Sequence, residues 1–389
     1  MKLFRFIVSI ALLPTWLFAE DVAQDDTRLA RSAAQTCHEV IAATYEDSVI
    51  AAVKLQQGIS AFLAKPDAAG LELAKQRWLE ARKIYLLTET CRFCGGPIDA
   101  KNGPEEMLNS WPIDESVIDQ VEGSPVLSIV EDEKRFPVIN AELLMQQNMK
   151  EGEKNITCGW HAVEFLLWGQ DTEPTAAGQR AFTDYTTAPF AKRRGEFLQS
   201  ASDLLVVQLK KLSSDWKKGA EKNHRSTVDA MEPDEALRNV VKGMLMLSGF
   251  ELANERIMVA CETQAQEEEQ SCFSDSTNQD MQCNIQGMLN LWNGSYRRVD
   301  DTKVEGPSMK QLTAGRDAEL ANQIDQLLNE ALNMANALPR FDQAILEPIT
   351  GPGQLALRAL SKKLTEVSAS LRHFAMRMGR PFTAEELEG

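Results

Sequence analysis

The chain has 389 residues, with 57 acidic against 41 basic side chains and a formal charge of −16 at pH 7. Such a charge excludes nucleic acid and anionic membrane surfaces as natural partners and suits cations or cationic surfaces. The length accommodates two domains of ordinary size.

Lys2 and Arg5 precede an apolar run from Phe6 to Phe18, and Ala19 offers a small residue before Glu20 and Asp21. That is the layout of a secretory signal peptide over residues 1–19, too short and too soon followed by acids to span a bilayer. No cysteine lies near the cut to carry a lipid, and no later stretch approaches the ~20 apolar residues of a membrane helix. The expected product is a soluble protein of the periplasm or the exterior. Residues 28–64 are rich in Ala, Leu, Val and Gln with few breakers until Pro66. Residues 68–90 place Leu71, Ala74, Trp78, Ala81, Tyr85 and Thr88 every three or four positions, the rhythm of an amphipathic helix. Residues 91–136 then scatter Gly and Pro around a lone Trp111, and a loop this long inside a domain is functional or disordered. Helical spacing returns over 197–218, weakens at 219–233, and resumes over 234–262. A polar, acidic break at 263–276 is followed by helical stretches at 315–338 and 353–378. Strand-type alternation is nearly absent. The expected fold is all-α, two antiparallel helical-bundle domains at 28–222 and 234–380 with a cleft between them and a long irregular excursion near 91–136.

The seven cysteines stand at 37, 91, 94, 158, 261, 272 and 283, so in an oxidising compartment at least one lacks an intramolecular partner. Cys91-Arg-Phe-Cys94 is followed by Gly95, not the His that haem attachment needs, and no βαβ pattern surrounds it. A disulfide staple is expected there in preference to a redox catalyst. Cys158 is expected to be paired or simply buried, a free thiol joining the site being the alternative.

The sharpest chemical signal is Cys158-Gly159-Trp160-His161-Ala162-Val163-Glu164, running on to Trp168. Three residues apart on a helix, His161 and Glu164 share one face and can share a metal ion or a proton. The alternative is a satisfied core histidine paired to its own acid. Glu164 in so apolar a segment needs a partner, because an unpaired buried carboxylate costs several kcal/mol. Gly159 lets the backbone approach the pair closely. Two ligands do not make a metal site: zinc wants three or four, and non-haem iron prefers two His with a carboxylate. Further acids, Glu89, Asp99, Asp114 and Glu115, flank or occupy the excursion. Glu251, Glu255 and Arg256 share one predicted helix, with Arg256 read as an ion-pair partner. Asp275 reads as a helix N-cap.

At these residues the chain resembles the imelysin family, in particular its iron-regulated protein A-like branch. Gly159-Trp160-His161-Ala162-Val163-Glu164 fits the family's Gly-x-His-x-x-Glu signature. Ordered blocks follow the pattern at Ala81–Glu89, Arg92-Phe93, Gly96–Asp99, Asn109–Glu115, Glu255-Arg256 and Ser271–Asp275. Two family histidines are replaced, by Gln270 and Asn278, which removes imidazoles able to bind or tune a metal. The resemblance implies paired helical bundles with the signature at or near a cleft. The family was named for a peptidase activity, and many members are associated with iron acquisition.

Three functions follow as expectations. The first is a periplasmic iron-binding or uptake protein, working with other envelope proteins of iron acquisition. Its metal ligands would be His161, Glu164, Glu255 and Asp275, and Gly159, Glu89, Asp99, Asp114 and Arg256 would line the cleft. The second is a binding module for a peptide, polysaccharide or envelope partner without metal, with Trp111, Trp160 and Trp168 lining the cleft. The third is a metallopeptidase, for which the sequence supplies too few ligands for zinc.

Overall fold

A computed structural model describes residues 15–387, with side chains from residue 24 onward. The expected export signal therefore lies outside the described residues, apart from Thr15–Ala19, which open the first helix. That helix, α1 (Thr15–Ala64), has 50 residues and is about 75 Å long at 1.5 Å per residue. It buries Ala33, Cys37, Ile41, Tyr45, Ser48, Ala52, Leu55, Ile59 and Phe62, a strict three-or-four spacing. Pro66 stops it by withholding an N–H and barring a helical conformation at the residue before. Asp67 then caps α2 (Ala68–Leu86), accepting from the Gly70 N–H at 2.7 Å.

The remaining long elements are α3 (Trp160–Trp168), α4 (Ala191–Asp215), α5 (Pro233–Met246), α6 (Thr277–Asn293), α7 (Ala318–Asn336) and α8 (Pro352–Arg377). Helices α1, α2 and α4 pack together, while α5, α7 and α8 form a second group. The groups meet where α1 reaches α5 and where α6 touches both α2 and α7. A small antiparallel ribbon, Ser295–Arg297 with Lys303–Glu305, clamps α1. The buried Asp47 of α1 accepts there from Tyr296 Oη at 2.9 Å, the Val299 N–H at 3.0 Å and Arg298 Nη2 at 2.8 Å. The architecture is thus all-α, as expected. Helix α6, however, has no counterpart among the predicted segments.

The excursion at 91–136 is ordered, with Ile98, Leu108, Ile118, Ile129 and Val130 buried. Two adjacent arginines of α4 hold it. Arg193 donates to the carbonyls of Val130 (2.7 Å), Ile129 and Phe136 (both 2.8 Å). Arg194 Nη2 meets the buried Asp119 at 2.9 Å. Buried loop carbonyls need donors, and one guanidinium supplies three.

Two local expectations are corrected. Cys91 and Cys94 are thiols hydrogen-bonded to each other, not a disulfide staple, and all seven cysteines are free. Cys94 Sγ also donates to the Thr90 carbonyl within the 3₁₀ turn Glu89–Phe93, at 3.2 Å. The helix predicted over 234–262 changes winding: α5 passes into a π-helix over Leu247–Met258, then returns to α over Val259–Thr263. Bonds from i to i+5 widen the turn, so Glu251 and its neighbours four and five residues on, Glu255 and Arg256, come onto one face.

Candidate functional site

Helix α3 is buried along its whole length. It begins at Gly159, whose φ of +88° is open to glycine and strained for other residues. A Cβ there would lie 2.6 Å from the Leu108 carbonyl oxygen, so the excursion packs directly on the start of the His161 helix.

His161 Nδ1 lies 2.8 Å from Glu164 Oε2, and its Nε2 lies 3.3 Å from Arg82 Nη2. A guanidinium can only donate, so Nε2 is the acceptor and the ring proton sits on Nδ1, pointing at Glu164. Burial first, and then the Arg82 charge, hold the imidazole well below its usual pKa. It is therefore neutral. The other Glu164 oxygen accepts from the Ser274 N–H at 3.0 Å and Ser274 Oγ at 2.6 Å. Burial pushes the Glu164 carboxyl up to about 7, against the pull of those Ser274 bonds.

Arg82 lies on the apolar stripe of α2 and is fully buried, caged by the rings of Trp78, Tyr85 and Trp160 at about 6 Å. It donates to Asn109 Oδ1 and, at 3.2 Å, to Asp280 Oδ2, which also accepts from Ser271 Oγ at 2.6 Å. From Asn109 the chain of contacts runs outward. Asn109 Nδ2 meets Glu89 at 3.3 Å, and Glu89 accepts from Arg256 Nη2 at 2.8 Å. Arg256 faces Glu251 at 3.3 Å, Glu251 accepts from Arg92 Nη1 at 2.7 Å, and Arg92 faces Glu105 at 3.3 Å. Burial alone would raise Glu89, yet Arg256 and Arg92 hold it below its usual value. Asp99 is pushed up to about 7 by burial, against the pull of Arg92 and helped by Glu105 and Glu89, and Glu105 is raised the same way.

The network ends at a cavity of about 350 Å³ lined by Arg92, Glu105, Trp111, Glu255, Arg256 and Gln270, among others. Its walls come from the excursion, the π-helix and the 263–276 break, so both irregular stretches meet here. A second cavity of about 330 Å³, lined by Ile113, Gln170, Cys272 and Phe273, lies on the other side of Trp111 and Pro112. Two residues that line the first cavity, Arg256 and Trp111, each keep a buried donor, Nη1 and Nε1, with no hydrogen-bond partner in the protein.

The structure brings together His161, Glu164 and Gly159, and joins Glu89, Arg256 and Asp99 to the same network. Glu255 stands on the cavity rim, half-buried, its Oε1 taken by Asn254 at 2.7 Å. Asp275 and Asp114 make their contacts elsewhere. Asp275 is no N-cap: Ser276 occupies that position, and Asp275, in left-handed backbone at φ +54°, pairs with Arg340. Asp114 caps a short 3₁₀ turn and faces a separate cavity with Arg135. Cys158 is buried, and its thiol is pushed up to about 12, too high to act as a nucleophile. Sequence reasoning missed Arg82, Asn109, Ser274 and Asp280. The available signal was Arg82 itself, a charge among Trp78, Ala81 and Tyr85 on an otherwise apolar stripe.

As arranged, these donors do not fit a resident metal ion. Both nitrogens of His161 and both oxygens of Glu164 already face protein partners, and Arg82 places a fixed positive charge at Nε2. Among the described residues, no three His, Cys, Asp or Glu side chains are placed to hold a metal. Gln270 lines the cavity as an amide, and Asn278 does structural work, binding the Pro339 carbonyl and the Phe341 N–H at 2.8 Å each.

A family model described as imelysin matches residues 41–371. The iron-regulated protein A of Synechococcus elongatus is 26% identical over 336 residues, covering 86% of this chain and 82% of that one. Two solved structures share the fold. A candidate iron-regulated protein A precursor from Parabacteroides distasonis aligns with a TM-score of 0.67 at 17% identity, covering 87% of this chain and 94% of its own. An imelysin-like protein from Psychrobacter arcticum gives 0.63 at 11% identity, covering 91% and 97%. With the Gly159–Glu164 signature at the buried end of its polar network, the chain belongs to the imelysin family.

Proposed function

We propose that this chain is an iron-related binding protein of the cell envelope, exported by residues 1–19, which receives its cargo in the cavity beside Arg256. In this reading His161 and Glu164 fix the floor of the site and are not resident metal ligands. One observation carries it: the unbroken chain of hydrogen bonds and ion pairs from Glu164 through His161, Arg82, Asn109 and Glu89 to Arg256, Glu251 and Arg92 at the cavity wall. Such a network is rigid because each buried member depends on the next, and rigidity under a cavity is what preorganised binding needs. The resemblance to an iron-regulated relative and the excess of carboxylates at the cavity support iron as the cargo. Peptidase chemistry gains no support, because it needs a metal with an open position and the donors here are spent on each other. The cavity beyond Trp111, with Phe273 and Ile113 in its wall, favours as a second reading a cargo with an organic part.

The test is iron content by mass spectrometry after the purified protein has been incubated with ferrous iron, ferric iron and chelated ferric iron. Retention of stoichiometric iron from at least one source is expected. A protein left iron-free by all three would overturn the reading.

A further inference from the structure

Helix α8 is basic in an acidic chain. It carries Arg358, Lys362, Lys363, Arg372 and Arg377 against a single acid, Glu366, while the whole chain is net −16. Where it packs on the π-helix the two backbones come close: a Cβ on Gly249 would lie 2.5 Å from Ser368 Oγ. Ser361 Oγ donates to the Ala253 carbonyl at 2.8 Å and Ser368 Oγ to that of Leu245 at 3.0 Å, so the seam is pinned at two heights. Small residues at the seam leave the larger side chains beside it as walls, around a groove of about 730 Å³. Buried Leu245, Met246 and Ala253 form its floor, with the half-buried Met258 and the exposed Phe250 as an apolar rim. Leu387 also lines it, in a turn that Arg238 holds through Glu386 at 2.7 Å. The α8 wall presents Arg358 and the exposed Lys362 and Thr365. Arg358 bonds Gln354 Oε1 at 3.2 Å and the Met258 sulfur at 4.0 Å. Among the described residues neither cation meets an acid, and no Asp or Glu lines the groove.

We infer that this groove docks an amphipathic helix of a partner protein, its apolar side on Met246, Phe250 and Met258 and its acidic side chains on Arg358 and Lys362. Leu355, Arg358, Lys362 and Thr365 recur at intervals of three and four on one face of α8. They span a rise of about 15 Å, the length of roughly three helical turns. Leu355, 55% exposed, extends the apolar surface one turn beyond Arg358. Both walls are helical, so they offer ridges and a groove for a third helix and no strand edge for an extended peptide. Met246 and Met258 are unbranched and adapt to the incoming face. Charge decides the sign of the partner. The excess negative charge of the chain is screened beyond about 8 Å at physiological ionic strength, so the two unpaired cations of the lining set the local preference. The π-helix separates this groove from the Arg256 cavity, with Phe250 bordering both, and docking here is independent of what that cavity holds.

The experiment is titration calorimetry of the full chain with a helical peptide of about 15 residues, built of Leu, Ala and Glu with its leucines on one face. The same peptide with every Glu replaced by Gln is titrated beside it. The Glu peptide is expected to bind, more weakly as salt is added, and the Gln peptide to bind about tenfold less tightly. Lys362→Glu should weaken the Glu peptide by about tenfold or more and leave the Gln peptide within about twofold. Thr365→Trp, which fills the groove with an indole, should abolish binding of both. Both positions are exposed, and the one hydrogen bond made by either side chain, Thr365 Oγ1 to the Ser361 carbonyl, stays within α8, so the variants keep the fold. Equal binding of the two peptides, with Lys362→Glu unchanged, would overturn the acidic partner. Failure of both peptides to bind would overturn helix docking, and laurate bound in their place would assign the groove to a small amphiphile. A dimer of the chain alone that Thr365→Trp dissociates would assign it to a second copy and also overturn the proposal.

Discussion

Glu164 and Gly159 show how much of the site is decided by single side chains. Glu164 lies within an apolar helix, and burial raises its carboxyl from 4.5 to about 7. The folded state therefore binds the proton more tightly than the unfolded one between those values. The stability this group contributes is fully present below pH 4.5 and is lost as pH rises through about 7, some 3 kcal/mol in all. Wild type and Glu164→Gln compared by denaturant unfolding should diverge over that window, the wild type losing more; parallel profiles would show that Glu164 does not titrate there. Gly159→Ala meets a different barrier, a positive φ and a carbonyl 2.6 Å from the new methyl group. It should cost about 3 kcal/mol or more by the same measurement. The His161–Glu164 pair was legible because both residues lie one turn apart on one helix. Its partners were not: Arg82 and Asp280 are 198 positions apart, and no local spacing links them.

Among the elements, the 3₁₀ turn Glu89–Phe93 and the π-helix do most to shape the cavity. The turn carries Glu89 and Arg92, and the π-helix carries Glu251, Glu255 and Arg256. Helix α5 presses on the turn at Gly243, where a Cβ would lie 2.0 Å from the Thr90 carbonyl oxygen and 2.5 Å from Cys94 Sγ. Gly243→Ala should therefore push turn and helix apart, costing about 2–3 kcal/mol of stability and weakening cargo binding together. A variant as stable as wild type with unchanged binding would show that this contact yields freely. The positions of the helices were readable from apolar spacing, as at Leu71, Ala74 and Trp78. The π winding was not, because hydrophobic period cannot distinguish one widened stretch within a longer helix. The N-cap expectation for Asp275 failed because Arg340, 65 residues away, competes for its carboxylate.

At the scale of the molecule, two helix groups meet along α1, α5 and α6, and the polar network runs from the buried α3 to a cavity walled by both irregular stretches. The all-α character was legible throughout, since few segments carry strand-type alternation. That the two breaks meet was not, because only tertiary contacts, Arg82 with Asn109 and Arg92 with both Glu105 and Glu251, hold residues 105–112 opposite residues 251–270. No helix among the described residues is long and apolar enough to cross a membrane. The strongly acidic chain suits a protein that meets cationic cargo.

The most direct test is anomalous diffraction at the iron edge on crystals grown with ferric citrate. The proposed function places the iron peak in the cavity bordered by Arg256, Trp111 and Glu255, with the His161–Arg82 contact intact. A peak bonded to His161 Nε2, with Arg82 displaced, would contradict it.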